Sequence, residues 1–154
     1  MDKLANRLTV FLNDELSIET TNITVVLNSI QKMELNYLTS LMSVEDTIKV
    51  FVVLSYDESL FNEIFARYTA GLSIEDDEKE EALVDSAGDI INIIVGNTLA
   101  DINETNQKIL MSPPLVITAA KQIACPRGSL FYKANFITDF GRLDTYLVSN
   151  TIQN

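Results

Sequence analysis

Residues 81–100 read EALVDSAGDIINIIVGNTLA. Ile, Leu, Val and Ala recur there at helical spacing, so the stretch predicts a helix with one buried face. Asp85, Asp89 and Asn92 interrupt that apolar character. At about 100° per residue, Leu83, Ala87, Ile90, Ile94 and Thr98 fall in one narrow sector, with Ile91 beside it. Glu81, Asp85, Asp89, Asn92 and Gly96 fall on the opposite side. The polar residues therefore form one coherent row. The helix is expected from about Asp77 to about Asn103.

Working outward, SIEDDEKEEA at 73–82 reads as a solvated loop and an acidic first helical turn. Before it, Leu60, Phe61, Ile64, Phe65 and Tyr68 repeat at helical spacing, a stripe that fits core packing. Tyr56-Asp57-Glu58 offers a start for that helix and Gly71 a stop. Thr21 to Leu27, Met33 to Leu41 and Thr47 to Ser55 are rich in Val, Ile, Thr and Tyr and read as three strands. IKVFVVL within the last of them is apolar enough to be central. At the amino end Leu4, Leu8, Phe11, Leu12 and Leu16 predict an amphipathic helix.

Beyond the long helix, MSPPLVI at 111–117 predicts a turn and then a strand, because Pro113-Pro114 cannot continue a helix. Leu130 to Ile137 and Arg142 to Ser149 predict a hairpin through Thr138-Asp139-Phe140-Gly141. The order is helix, three strands, helix, long helix, three strands. This is a rough two-fold repeat with no Gly/Ser-rich linker between the halves. The expectation is one α+β domain over residues 1–154, with helices packed on a mainly antiparallel sheet.

Composition narrows the chemistry. The chain has 154 residues and 47% hydrophobic content, enough for a sizeable core. Its formal net charge of −11 disfavours nucleic-acid backbones and anionic lipid. There is no histidine, so Ser-His-Asp and Cys-His catalysis and a typical zinc site are excluded. A single cysteine, Cys125, cannot form an internal disulfide and suits a reducing compartment. The first residues carry charge throughout and no stretch reaches a membrane-spanning length. A cytoplasmic location is the expectation.

The polar row admits three readings. It can be the solvated back of an amphipathic helix. It can hold Mg²⁺ or Ca²⁺ through two Asp one turn apart, although no third carboxylate obviously converges. Or it can be a small catalytic or recognition pair, an acid with an amide three residues on along one ridge. An exposed amide can hold a water by accepting and donating together. Gly96, one turn further on, would let another backbone approach closely.

The same stretch resembles the CheX branch of the CheC/CheX/FliY family of chemotaxis phosphatases. Their motif on the long helix is an acidic or Ser residue, then Glu-x-x-Asn, then a proline some twenty residues later. Asp85, Asp89-Ile-Ile-Asn92 and Pro113-Pro114 stand here in that order. VFVVLSYDESLFNEIF resembles the family's central strand and next helix. DSAGDIINIIVGNTLADI, MSPPLVI and FITDFGRLDTYLV resemble its long helix, the turn and strand that follow, and its closing hairpin. The similarity is clearest from about Thr47 to about Ser149.

The resemblance implies a CheC/CheX-like fold and a specific task. Members remove the phosphoryl group from the aspartate of a CheY-like response regulator, with the long helix docked against the regulator's active site. The amide positions the attacking water and the acid pairs with the regulator's active-site lysine. Carried over, Asn92 orients water, Asp89 meets the lysine, and Asp85 and Gly96 belong to the docking surface. The regulator brings its own acyl phosphate and Mg²⁺, so no cofactor is expected on this chain. Such a task needs positioning rather than a general base, which suits a protein without histidine. Homodimerisation through the sheet is also implied.

One departure keeps a second reading open. The family's acid is Glu, and Asp89 is one methylene shorter. A non-catalytic domain that binds a regulator or flagellar switch component is the alternative, and a plain structural dimer is a third. The first helix lacks an acid-x-x-Asn, so at most one active row is expected. Cys125, in ACPRG, has no histidine to activate it and reads as an ordinary loop or edge cysteine.

Overall fold

The structure is a computed structural model that describes residues 1–27, 32–102, 108–125 and 127–150. Helix α1 spans Asp2–Val10 and runs into a π-helical turn, Phe11–Glu15. Leu4, Leu8, Phe11, Leu12 and Leu16 are all buried. The wider turn lets the neighbours Phe11 and Leu12 both reach the core, with Leu16 N–H donating to Phe11 O at 3.1 Å.

Four strands follow: β1 (Thr20–Leu27), β2 (Lys32–Glu34), β3 (Leu38–Glu45) and β4 (Lys49–Tyr56). After them come α2 (Glu58–Tyr68) and the long α3 (Lys79–Ile102). The expected end of α3 at Asn103 lies outside the described residues. The second half holds β5 (Leu110–Met111), β6 (Leu115–Ile117), β7 (Gln122–Ala124), β8 (Ser129–Thr138) and β9 (Gly141–Asn150).

The main sheet runs β1-β8-β9-β4-β3, with β5 and β6 both pairing β3, and every pairing is antiparallel. IKVFVVL supplies β4, which is central as expected, between β9 and β3. The order reveals the two-fold repeat. β1 pairs β8 on one side, β6 pairs β3 on the other, and β4 and β9 meet in the middle. β2 and β7 pair separately as a two-stranded sheet. This is the α+β architecture that the sequence predicts.

The three strands expected in each half are four and five: β5 and β7 are additional, and one expected strand is divided. Met33 to Leu41 is not one strand but β2 and β3, separated at residues 35–37. Asn36 makes the break. Its N–H donates to Ser55 Oγ at 2.7 Å, and its Nδ2 donates to Ser55 O and to Asp144 Oδ2. Those bonds hold the chain away from a continuing ladder. The segment before the break crosses the outer face of the sheet.

Two apolar clusters lie on opposite faces of the sheet. The larger joins α1, α2 and α3 to Leu38, Met42, Leu54, Phe136 and Leu143. The smaller lies under β2 and β7 and contains Met33, Leu35, Val53, Phe131, Tyr146 and Val148. On α3, Ala87, Ile90, Ile91, Ile94, Val95 and Thr98 are buried, and Leu83 is half-buried. Two buried hydroxyls in that helix are satisfied locally: Ser86 donates to Ala82 O and Thr98 to Ile94 O, both at 2.7 Å.

Other contacts tie α3 to α1 and fix α2 at both ends. Arg7 of α1 makes a two-pronged ion pair with Asp101, at 2.5 and 2.6 Å. Arg67, near the end of α2, donates to Leu16 O and Ser17 O and pairs with Glu63. The start of α2 is clamped to the closing hairpin, where Asp57 Oδ2 accepts from Arg142 N–H at 2.8 Å. Among the described residues, no helix is long and apolar enough to cross a membrane.

Candidate functional site

The row on α3 reaches the surface. Asp85, Asp89 and Asn92 are exposed, and Gly96 is half-buried. Burial of the opposite face leaves them no other side to occupy, because the apolar residues of α3 claim the sheet. Neither Asp85 nor Asp89 has an ion-pair partner among the described residues. The Asn92 amide has no protein hydrogen bond there either, so its donor and acceptor are both available to water. Nothing lies within 4 Å of where a Cβ would project at Gly96, so the chain itself gives no packing reason for that glycine.

The proline turn forms the other wall. Ser112 ties it to β3: Ser112 N–H donates to Ser43 O, and Ser43 N–H donates to Ser112 Oγ, both at 2.9 Å. This places Pro114 over α3. A Cβ added at Gly88 would lie 3.5 Å from Pro114 Cγ and 3.9 Å from Val116 Cγ2. Between the two elements runs an open groove of about 380 Å³. Val84, Asp85, Gly88 and Asp89 form its α3 side, and Pro114, Leu115 and Val116 the other.

Three further residues, Tyr68, Ile93 and Leu115, border the row or its groove. Tyr68 fits the core stripe of α2 by spacing, and Phe61 and Phe65 of that stripe are buried. Tyr68 itself is half-buried at the last turn, with its ring 6.4 Å from that of Phe11. Burial raises its phenol pKa, and the negative charges of Asp89 and Glu15 raise it further. Ile93 is 39% exposed beside Asn92, and Leu115 is 55% exposed on the groove's rim. The exposed apolar Ile93 was the one signal available in sequence, since it falls off the core sector.

Among the described residues, no three His, Cys, Asp or Glu side chains converge to hold a metal ion. Cys125 is half-buried against the smaller cluster, and burial pushes its thiol pKa up, away from a reactive thiolate.

Residues 38–136 match the family described as Chemotaxis phosphatase CheX. That is more than half of the chain, and the protein belongs to this family. A search of curated proteins finds no match. Among solved structures, the fold is similar to a chemotaxis protein CheX from Desulfovibrio desulfuricans, with a TM-score of 0.81 at 13% identity over 97% of each chain. It is also similar to a chain of the CheX–CheY–BeF3–Mg²⁺ complex from Borrelia burgdorferi, with a TM-score of 0.78 at 15% identity over 97% of each chain. FliY from Thermotoga maritima is more distant, with a TM-score of 0.54 at 16% identity over 95% of this chain and 83% of the other.

Proposed function

We propose that the protein hydrolyses the aspartyl phosphate of a CheY-like response regulator. The observation that carries this reading is the exposed Asp89 and Asn92 on α3, both unpaired among the described residues, in a chain whose residues 38–136 match the CheX family. A solved relative is a complex with CheY, which supports the choice of partner.

In this reading α3 docks across the mouth of the regulator's active site. The Asn92 amide accepts one hydrogen bond from a water and donates another to it. That holds the water in line with the acyl phosphate. Asp89 pairs with the regulator's active-site lysine, and Asp85 and Gly96 face the docked surface. The regulator supplies the phosphoryl group and Mg²⁺. Asn92 takes no proton, so the absence of histidine is no obstacle. A cytoplasmic location and a homodimer through the sheet accompany the reading.

A second reading is favoured by one observation, the shorter Asp89. If it cannot reach the lysine, the same surface binds a regulator or a flagellar switch component without hydrolysis. The deciding experiment follows loss of phosphoryl label from a phosphorylated CheY-like regulator of the same organism. Wild type, Asn92→Ala and Asp89→Glu are compared. Acceleration by wild type that is lost in Asn92→Ala supports hydrolysis. Binding by wild type without acceleration selects the docking reading.

A further inference from the structure

We infer that the hollow between the start of α1 and the end of α3 is a binding site for one small, uncharged apolar molecule. It lies beyond Asn92 on α3, away from the exposed acidic row, and it does not depend on the phosphatase reading.

The start of α1 and the last turns of α3 stand apart over the sheet and leave a hollow of about 470 Å³. Val44 of β3, Val50 and Val52 of β4 and Leu147 of β9 form its floor, with Val50 opposite Val44 and Val52 opposite Leu147. Leu4 stands on one side, and Val95 and Leu99 on the other. The Arg7–Asp101 pair links the same two helices, so the hollow is bounded by elements already joined. Protein interiors leave few voids larger than a water. This one falls within the size of ligand sites, about 300–1,000 Å³, and has their mostly apolar lining.

The lining decides what enters. Thr98, its buried polar side chain, already donates its hydroxyl to Ile94 O at 2.7 Å. The buried side-chain atoms without partners, such as Ser40 Oγ and Tyr56 OH, belong to residues outside this lining. A hydrogen-bonding group carried into the hollow would therefore lose water and gain no waiting side chain. Charges at the mouth come as opposites, Asp2 beside Lys3 and Arg7 with Asp101, so no net charge there attracts an ion. An anion is further disfavoured by the chain's net charge of −11. A second copy of the chain fits poorly. A stable dimer buries roughly 800 Å² per partner, and the lining of this hollow is a small part of that.

Val95, Thr98 and Leu99 lie one to two turns beyond Asn92 on the same helix. An occupant therefore packs against the end of α3 and suppresses opening of its last turn.

The test titrates the full chain with N-phenylnaphthylamine, an uncharged dye that fluoresces in apolar surroundings. The dye is then displaced with decanol or with decanoate. One dye per chain should bind, decanol should displace it, and decanoate should require about tenfold more. Val50→Phe and Leu99→Phe each place a ring in the hollow, one from the floor and one from the wall. Each should weaken dye binding about tenfold or more. With decanol bound to wild type, hydrogen exchange of the Leu99 to Ile102 amides should slow.

Absence of saturable dye binding overturns the inference, as does binding that survives both substitutions. Displacement by decanoate as effective as by decanol removes the uncharged class. Dye binding that falls as the chain dimerises at higher concentration means that a second copy covers the hollow, and the inference fails. The exchange measurement uses wild type alone, so unchanged exchange counts against the site even where a filled variant does not fold. Regulator dephosphorylation enters none of these readouts, so the site and the phosphatase reading stand or fall separately.

Discussion

Gly88 of α3 and Pro114 stand so close that a Cβ on the glycine would lie 3.5 Å from the proline's Cγ. That is ordinary contact for a methyl group and too little room for more. Gly88→Ala should therefore fold normally and gain up to about 1 kcal/mol from helix propensity. Gly88→Leu should displace β6 and lose about 1–3 kcal/mol through overpacking. Urea midpoints of the two variants decide this. If both are equally destabilised, the proline turn is not seated on the helix.

Gly96 differs in having open space around it. Gly96→Ala should stabilise the isolated protein by about 0.5–1 kcal/mol. If a regulator's backbone approaches there, the same variant should bind the regulator more weakly. Stability and affinity moving in opposite directions is the expected signature. A gain in stability with unchanged affinity assigns Gly96 no docking role.

Gly141 is constrained by conformation. Its φ is +138°, and a Cβ would lie 3.0 Å from Ser59 Oγ and 3.2 Å from Asp57 Cβ. Gly141→Ala should cost about 1–3 kcal/mol and loosen the clamp between the closing hairpin and α2. Differential scanning calorimetry measures the cost, and an unchanged melting temperature would contradict it.

The Arg7–Asp101 pair has a pH signature. Arg7's hydrogen bond and charge hold the Asp101 carboxyl below its ordinary value of 3.8. A depressed folded-state pKa contributes stability above the unfolded value, and that contribution is lost as pH falls through the folded value. The stability difference between wild type and Asp101→Asn should thus be constant near neutrality and shrink below about pH 4. Both groups are exposed, so the whole effect should be small and reduced by salt. A difference that grows on acidification would reverse the sign and refute the assignment.

For catalysis, Asn92→Ala should lower kcat for regulator dephosphorylation by about 10²-fold, the scale set by losing a positioned reactant. Asp89→Glu should raise the rate if the short acid under-reaches. Tyr68→Phe removes a hydroxyl next to Asp89's charge and should change the rate far less than Asn92→Ala. Single-turnover label loss separates these outcomes.

Much of this molecule is legible in the order of its residues. The helical spacing of Ala87, Ile90, Ile94 and Thr98 fixes which side of α3 meets the sheet. It therefore also fixes that Asp85, Asp89 and Asn92 face outward. The apolar run in β4, the double proline and the hairpin around Gly141 are similarly local signals, each tied to a period or a dihedral constraint. What required tertiary structure is everything set by distant pairs. Asn36 splits a predicted strand only because Ser55 and Asp144 are there to bond it. Tyr68 keeps its place against the core, yet only the packing of α2 beside α3 brings its phenol within reach of Asp89's charge. The groove exists because Ser112 anchors Pro114 to Ser43 and so brings it over Gly88. Periodicity records which way a side chain faces, since that depends on the backbone's own geometry. It carries no record of what stands opposite, because that is decided by how separate elements pack.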